Sequence, residues 1–190
     1  RMRNVFGSFG NLNPWKGVTV LLDACRQLAS NSVDFELRLH GAPLFQADTF
    51  VSDLDAGFRE AGPRVRRIGG YDRADVPALM ADVDWVIVPS IWWENAPLTI
   101  GEAQFHGRPV IASGIGGMAE LVGYGFVGRL VRLNEPAGLA AVMRRCAEEP
   151  DLWRRLAGGI APPPTVDQVA SRHIALFQGG RGAAVARVAA

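Results

Sequence analysis

Cysteine is scarce in this sequence, and neither sign of charge is in excess. Only two cysteines occur among 190 residues, and Lys and Arg total 20 against 19 for Asp and Glu. Cys25 and Cys146 lie in segments with helical periodicity, so we expect buried, reduced thiols and no disulfide framework. The balanced charge excludes a global field that would attract nucleic acid or anionic lipid. Any bound anion must therefore be held by local groups.

Signals for export, membrane insertion and metal binding are also missing. The sequence has no signal-peptide pattern and no uninterrupted apolar run of about 18 residues. We therefore expect a cytoplasmic protein, and peripheral contact with a membrane is left open. The Cys and His positions have no metal-ligand spacing, so no metal is expected. The segment Gly114-Ile115-Gly116-Gly117 lacks the third glycine of a dinucleotide fingerprint and follows the fifth predicted strand, which excludes a nicotinamide site.

Short apolar strands alternate with helical patterns along most of the chain. Strands are predicted near residues 4–9, 35–40, 64–69, 84–88 and 109–112. Helices are predicted near residues 17–30, 48–61, 74–81, 98–106 and 136–147. The alternation predicts an α/β fold, with one Rossmann-like parallel sheet and helices on both faces. The segment 85–88 has no polar alternation and should form a central strand, whereas a weaker strand near 126–131 should extend the sheet edge.

The pattern changes after Pro150. A short helix near 152–156, a rigid break at the three prolines 162–164 and a final helix at 166–177 are predicted. Residues 179–190 are rich in Gly, Ala and Arg, so we expect one domain over residues 1–178 and a flexible tail over 179–190. Because a buried strand pattern begins at Val5, almost at the first residue, we expect the chain to be part of a longer protein.

The loop after the fourth predicted strand contains groups suited to ligand binding. In parallel α/β sheets, ligands bind where the carboxyl ends of strands lead into helices. Pro97 fits the first position of the next helix. The amides of Leu98, Thr99 and Ile100 should then be unpaired at the helix start. Free amides of this kind form an anion site.

Two glutamates flank this predicted anion site. Glu94 lies in the loop before the helix and Glu102 lies within the helix, with seven residues between them. Two carboxylates would repel a phosphate, unless they contact hydroxyl groups on either side of it, as a ribose and a hexose would provide. The alternative is that Glu94 is a solvated loop residue and Glu102 a helix-surface charge, because acidic residues are common in first helical turns.

These residues belong to a longer signature. Its parts are Pro89-Ser90, an aromatic residue, Glu94, an Asn-Ala-Pro loop, Glu102, HGRPVIAS at 106–113 and GGMAE at 116–120. The pattern resembles the C-terminal domain of the large retaining family of glycosyl transferases group 1, which has the two-domain GT-B fold and includes many cell-surface polysaccharide transferases. The resemblance covers residues 5–147 and implies a nucleoside diphosphate sugar as donor.

The resemblance assigns roles to the loop and to both glutamates. The residue matching Glu94 is catalytic and hydrogen-bonds the donor sugar, and the residue matching Glu102 binds the ribose diol. Amides of the loop between them hold the sugar and the phosphate. In this chain the loop positions are Asn95, Ala96, Pro97, Leu98 and Thr99. These roles agree with the chemistry above, because a carboxylate accepts from paired hydroxyls whereas a diphosphate needs N–H donors and a cation.

The resemblance implies that Lys16 is this cation. In relatives the matching lysine contacts the diphosphate and neutralises the leaving group, which makes Lys16 the second catalytic candidate. The family usually has a Gly-Arg-Leu triplet where this chain has Gly-Asn-Leu, so Gly10 and Asn11 match donor-binding positions but one cationic contact is missing. Arg73 could supply the missing contact, because it follows the third predicted strand at the same sheet edge. Arg108 precedes the fifth predicted strand and should lie at the opposite edge. Without the resemblance, Lys16 would be a solvated surface charge.

Other residues near this edge have two interpretations each. Gly70 and Tyr71 match the place where relatives let the base approach the backbone, and a plain tight turn explains them equally well. His40 is expected to be a half-buried strand residue, with ligand contact as the alternative. Trp92 and Trp93 are expected to pack in the core or at the lip of the site, with a position beside the sugar as the alternative.

The function implied by the resemblance is that of the donor-binding half of a retaining glycosyltransferase in polysaccharide biosynthesis. A sugar would move from a nucleoside diphosphate sugar to a glycan or lipid-linked acceptor, held by an N-terminal domain missing from this sequence. The full-length enzyme could contact the inner face of the membrane, and no cofactor, metal or nucleic-acid partner is implied. The alternatives are a non-catalytic GT-B-like carbohydrate or scaffold module, which Asn11 favours, and half of a nucleotide-sugar epimerase, whose His and acid pair is not visible.

Overall fold

The computed structural model of the chain describes residues 2–124 and 128–178, except for the Tyr124 side chain. The predicted tail at 179–190 and part of the predicted edge strand, at 126–127, lie outside the described residues. Within the described ranges, strands and helices alternate as the sequence predicts. The α/β fold class is therefore confirmed.

Six strands in the described part of the chain form one parallel sheet. They are β1 (Val5–Phe9), β2 (Glu36–His40), β3 (Val65–Gly69), β4 (Trp85–Val88), β5 (Val110–Ser113) and β6 (Gly128–Val131). Their order is β3-β2-β1-β4-β5-β6, which is the order of Rossmann-like sheets. The strand order reverses between β1 and β4, so the loops that follow these two strands meet at one edge.

Helices cover both faces of the sheet. They are α1 (Val18–Ser30), α2 (Asp48–Ala61), α3 (Val76–Ala81), α4 (Leu98–Phe105), α5 (Gly116–Tyr124), α6 (Pro136–Glu148), α7 (Pro150–Gly159) and α8 (Val166–Phe177). Helices α1, α2, α6 and α7 pack on one face, and α3, α4 and α5 pack on the other. Helix α8 buries none of its residues. No helix in the described ranges combines the length and the apolar character that crossing a membrane requires.

Strand β4 is buried on both faces of the sheet. Trp85 and Ile87 pack in the apolar layer of α1 and α6, whereas Val86 and Val88 pack in the opposite layer. None of these four side chains is more than 6% exposed, which confirms the predicted central strand. Because close packing on both sides resists displacement, the loop that follows β4 starts from a fixed point.

The two thiols also lie in the core. Cys25 on α1 and Cys146 on α6 are free and buried. Burial raises the pKa of both thiols, to about 12 for Cys146. Both therefore stay protonated at neutral pH, as expected for inert structural cysteines.

Candidate functional site

A cavity of about 380 Å³ opens at the carboxyl edge of the sheet, between the loops that follow β1 and β4. The residues of the predicted site that line it are Gly10, Asn11, Lys16, Tyr71, Glu94, Ala96, Pro97, Leu98, Thr99 and Glu102. Gly70 and Asn95, which were also predicted, are not among the lining residues. Residues from the loops after β1, β3 and β4 thus meet at the carboxyl edge of the sheet, where ligands bind in parallel α/β folds.

A tight turn before α1 brings Lys16 to the cavity. The Asn13 side chain begins a 3₁₀ turn by accepting a hydrogen bond from the Lys16 amide at 3.0 Å. Gly17 then adopts a φ of 68°, and a Cβ at this position would lie 1.9 Å from the carbonyl oxygen of Pro89. Since only glycine permits both the left-handed backbone and this close approach, the β1 and β4 loops are locked together at Gly17.

Lys16 and Glu94 form an ion pair in the cavity, with 2.6 Å between Nζ and Oε1. Ser90 donates its hydroxyl to the same carboxylate oxygen at 2.7 Å. The Lys16 side chain is 42% exposed and that of Glu94 is 16% exposed, so solvent screens the pair and its net stabilisation of the fold is small. Ser90 belongs to the sequence signature, but the signature predicts no role for it, because a local pattern does not show which side chain a buried hydroxyl faces.

The start of α5 packs against the backbone of the loop that follows β4 and contains Glu94 (the Glu94 loop). The Gly117 amide donates to the Glu94 carbonyl at 2.8 Å. A Cβ at Gly117 would lie 1.8 Å from the carbonyl oxygen of Asn95, and one at Gly116 would lie 3.1 Å from the Trp93 ring. Helix α5 was not predicted, since paired glycines are typical of loops. The glycines instead let the helix start approach the backbone of the Glu94 loop.

The start of α4 differs from the prediction in two respects. Helix α4 begins at Leu98, and Pro97 precedes it as the N-cap with an extended ψ of 115°. The Ile100 amide donates to the Pro97 carbonyl at 3.0 Å. The predictions that Pro97 is the first helical residue and that the Ile100 amide is unpaired are therefore wrong. The amides of Leu98 and Thr99 have no protein partner in the described ranges, and they remain available to an anion.

Asn11 joins two loops at the rim of the cavity. Its side-chain amide donates to the Leu44 carbonyl at 3.3 Å, and its side-chain oxygen accepts from the Leu44 amide at 3.0 Å. Neither Arg73 nor Arg108 lines the cavity, so the structure does not place Arg73 where an arginine at position 11 would act. Among the described lining residues, Lys16 is the only cation.

Aromatic side chains pack at the β2 and β3 end of the cavity. The Phe9 ring stacks on His40, with ring centroids 4.5 Å apart, and Tyr71 meets Phe9 edge-on at 6.0 Å. His40 is only 2% exposed, so it is buried and not half-buried as expected. Burial and, to a smaller extent, the charge of Arg38 lower the pKa of His40 to about 4. Burial and the nearby charge of Glu102 raise the pKa of Tyr71, so both rings are neutral at pH 7.

Three tryptophans on the loops that follow β1 and β4 are exposed. Trp15, Trp92 and Trp93 are 58%, 57% and 68% exposed, so Trp92 and Trp93 do not pack in the core. The rings of Trp15 and Trp92 meet edge-on at 5.3 Å and line a smaller groove of about 260 Å³. The Ile91 amide donates to the Trp15 carbonyl at 2.8 Å, which ties their two loops together.

The arrangement combines groups for anions with groups for hydroxyls. Lys16 and the amides of Leu98 and Thr99 suit phosphate oxygens, because these oxygens accept charge-assisted hydrogen bonds. Glu94 and Glu102 line the same cavity and can accept from sugar hydroxyls. No group of three or more His, Cys, Asp or Glu side chains suited to a metal ion occurs in the described part of the chain.

Comparisons with known proteins identify the same family for most of the chain. The family model described as Glycosyl transferases group 1 matches residues 3–149. A D-inositol 3-phosphate glycosyltransferase from a Nocardioides species is 30% identical over 162 residues, which cover 79% of this chain and 35% of that protein.

Solved structures give the same result for the fold. Anabaena Alr3699/HepE in complex with UDP is similar with a TM-score of 0.80 and 31% identity, over 93% of this chain and 49% of that one. The complex of Alr3699/HepE with UDP-glucose is similar with a TM-score of 0.77 and 30% identity, over 92% and 48% of the two chains. This chain therefore spans about half the length of these solved relatives, and about a third of the Nocardioides protein.

Proposed function

The chain belongs to the glycosyl transferases group 1 family, and we propose that it forms the donor-binding domain of a retaining glycosyltransferase with the GT-B fold. One observation carries the proposal: a single cavity combines Lys16, the free amides of Leu98 and Thr99, and the carboxylates of Glu94 and Glu102. A nucleoside diphosphate sugar has a diphosphate between two groups of hydroxyls, which matches this set of donors and acceptors.

Each part of the donor has a proposed partner. The diphosphate binds Lys16 and the amides at the start of α4, and the ribose diol binds Glu102. Tyr71, whose pKa is raised by burial and by the charge of Glu102, lies beside the base, with Gly70 allowing close approach of the base to the backbone. The transferred sugar then lies on the Glu94 side, near the loop that contains Asn95 and Ala96.

The proposed reaction breaks the bond between the anomeric carbon and the diphosphate oxygen. The sugar passes to an acceptor hydroxyl with retention of configuration, and the products are a glycoside, a nucleoside diphosphate and a proton. Negative charge grows on the leaving diphosphate, where the Lys16 ammonium and the helix amides stabilise it. We expect no divalent metal to be required, since these groups supply the positive charge at the diphosphate.

The remaining half of the enzyme is proposed to bind the acceptor. This chain spans about half the length of its solved relatives, and the acceptor domain corresponds to the part that it does not cover. The acceptor is a glycan or a lipid-linked sugar. The full-length enzyme would act in the cytoplasm, at the inner face of the membrane when the acceptor is lipid-linked.

A non-catalytic carbohydrate or scaffold module is the second candidate. Asn11 favours it, because Asn11 replaces a cationic family residue and its amide is engaged with the Leu44 backbone. Calorimetry of the chain with UDP, ADP and GDP, with and without EDTA, separates the two candidates. A donor-binding domain should bind one of these nucleotides equally well in EDTA and lose affinity in Lys16→Ala. A scaffold should bind none of the three, and loss of binding in EDTA would refute the metal-free proposal.

A further inference from the structure

One carboxylate oxygen of Glu94 accepts hydrogen bonds from two side chains. Oε1 accepts from Lys16 Nζ at 2.6 Å and from Ser90 Oγ at 2.7 Å. In the described part of the chain, Oε2 accepts no hydrogen bond from the protein. The carboxylate is therefore held at one oxygen, and the other is free for a ligand hydroxyl.

A bound diphosphate would compete with Glu94 for Lys16. Among the described residues, Lys16 is the only cation that lines the cavity. A diphosphate has more negative charge than one carboxylate, so it should draw the ammonium toward itself and weaken the bond to Oε1. The Glu94 backbone has little freedom to follow, because its carbonyl is held by the Gly117 amide at 2.8 Å. Once Lys16 turns away, the orientation of the Glu94 side chain depends on its other donor.

Ser90 is that other donor. It lies two residues after β4, and its side chain is completely buried, with 0% exposure. Ser90 lines the cavity but is shielded from bulk water. Because a buried hydroxyl is rarely left without a partner, we expect its bond to Glu94 to persist when Lys16 moves. We propose, on the basis of the donor-binding function above, that Ser90 is a positioning residue. Its hydroxyl keeps Glu94 oriented toward the donor sugar while Lys16 engages the diphosphate.

The test compares the affinity of a nucleoside diphosphate with that of its glucose conjugate. Calorimetry measures UDP and UDP-glucose binding to the unmodified chain, Ser90→Ala and Ser90→Cys; the ADP or GDP pair replaces them if it binds more tightly. We expect the UDP affinity of Ser90→Ala to stay within about twofold of that of the unmodified chain, and its UDP-glucose affinity to fall about tenfold. The reason is that the hydroxyl acts only through the carboxylate that contacts the sugar. Ser90→Cys keeps a side chain of similar size with a weaker donor, so its UDP-glucose affinity should lie between those of the unmodified chain and Ser90→Ala.

Ser113→Ala is the matched control. Ser113 is also buried, at 2% exposure, and ends β5 at the same sheet edge, but it does not line the cavity. This variant should change neither affinity, and thermal unfolding of both alanine variants checks that they remain folded. If Ser90→Ala does not fold, Ser90→Cys gives the same comparison.

Two results would overturn the inference while leaving the donor site intact. Equal losses for UDP and UDP-glucose in the Ser90 variants would show a general structural role. An unchanged affinity for UDP-glucose would show that Glu94 needs no second donor. If none of the three nucleotide pairs binds the unmodified chain, the donor-binding function itself is refuted, and the positioning role is refuted with it.

Discussion

Replacement of Asn11 by arginine should change the stability of the fold and the affinity for an anion in opposite directions. The Asn11 side chain makes two hydrogen bonds to the Leu44 backbone, at 3.3 Å and 3.0 Å, and both lie in an exposed region. Taking the low end of the usual range for each bond, their loss should destabilise the fold by about 1 kcal/mol. For a domain of this size, the thermal midpoint should fall by about 2–4 °C.

The same substitution should strengthen nucleoside diphosphate binding. Asn11 lines the cavity beside Lys16, so a guanidinium at this position would supply the second cation that the family usually has. A partly exposed charge-assisted bond is worth on the order of 1 kcal/mol, or about fivefold in affinity. The gain should shrink as salt is added, because the screening length at physiological ionic strength is only about 8–10 Å.

Asn11→Ala separates the two effects. It removes the same two bonds to Leu44 without adding a charge, so it should lower the melting temperature as much as Asn11→Arg does and should not tighten binding. Calorimetry at two salt concentrations and thermal unfolding of both variants measure the outcome. If Asn11→Arg gains no affinity at low salt, the diphosphate is not bound beside position 11 and the reasoning fails.

Three other predictions follow from the geometry of the site and the core. Glu102→Gln should weaken nucleoside diphosphate binding by about 1–3 kcal/mol. Glu94→Gln should not weaken it, because this change removes the carboxylate that competes for Lys16, and should reduce only the additional affinity of the sugar conjugate; equal losses of nucleoside diphosphate affinity in calorimetry would refute this division. Gly17→Ala should destabilise the fold by at least about 2 kcal/mol in urea unfolding, because a Cβ would lie 1.9 Å from a loop carbonyl. Gly62→Ala, at φ 83° but with open space around it, should cost less, and equal costs would contradict the proposed clash. The pKa of His40 is lowered to about 4 in the fold, whereas that of an unfolded histidine is about 6.5. Between these two pH values the unfolded chain protonates this imidazole and the folded chain does not, so the free energy of unfolding should fall by up to about 3 kcal/mol as the pH drops from 6.5 to 4. His40→Leu should flatten this part of the pH profile measured by urea unfolding.

The strands and most helices could be predicted because apolar periodicity is a local property of the sequence. The pattern located all five strong strands to within about two residues at each end, and the strand order then brought the loops after β1 and β4 together. Helix α5 was missed, because Gly116 and Gly117 disfavour a helix locally and are selected here by contact with the Glu94 loop.

The residues of the cavity could be located from the sequence, but their hydrogen-bond partners could not. Most positions taken from the family signature line the cavity, because a shared fold preserves backbone positions. Asn11 bonds to Leu44, which is 33 residues away in sequence, and the Ser90 hydroxyl donates to the Glu94 carboxylate. Such contacts depend on the folded chain, and a spacing pattern does not contain them. The roles assigned to Lys16 and Glu94 stay predictions until binding is measured.

The exposed tryptophans on the loops that follow β1 and β4 give the protein an intrinsic fluorescence probe. Of five tryptophans, Trp15, Trp92 and Trp93 are more than half exposed, whereas Trp85 is completely buried. The exposed indoles emit at longer wavelength and are accessible to a soluble quencher, so they can be distinguished from Trp85 without any label. Because Trp15 and Trp93 are the immediate sequence neighbours of Lys16 and Glu94, we expect a ligand that enters the cavity to change the emission of the exposed indoles more than that of Trp85.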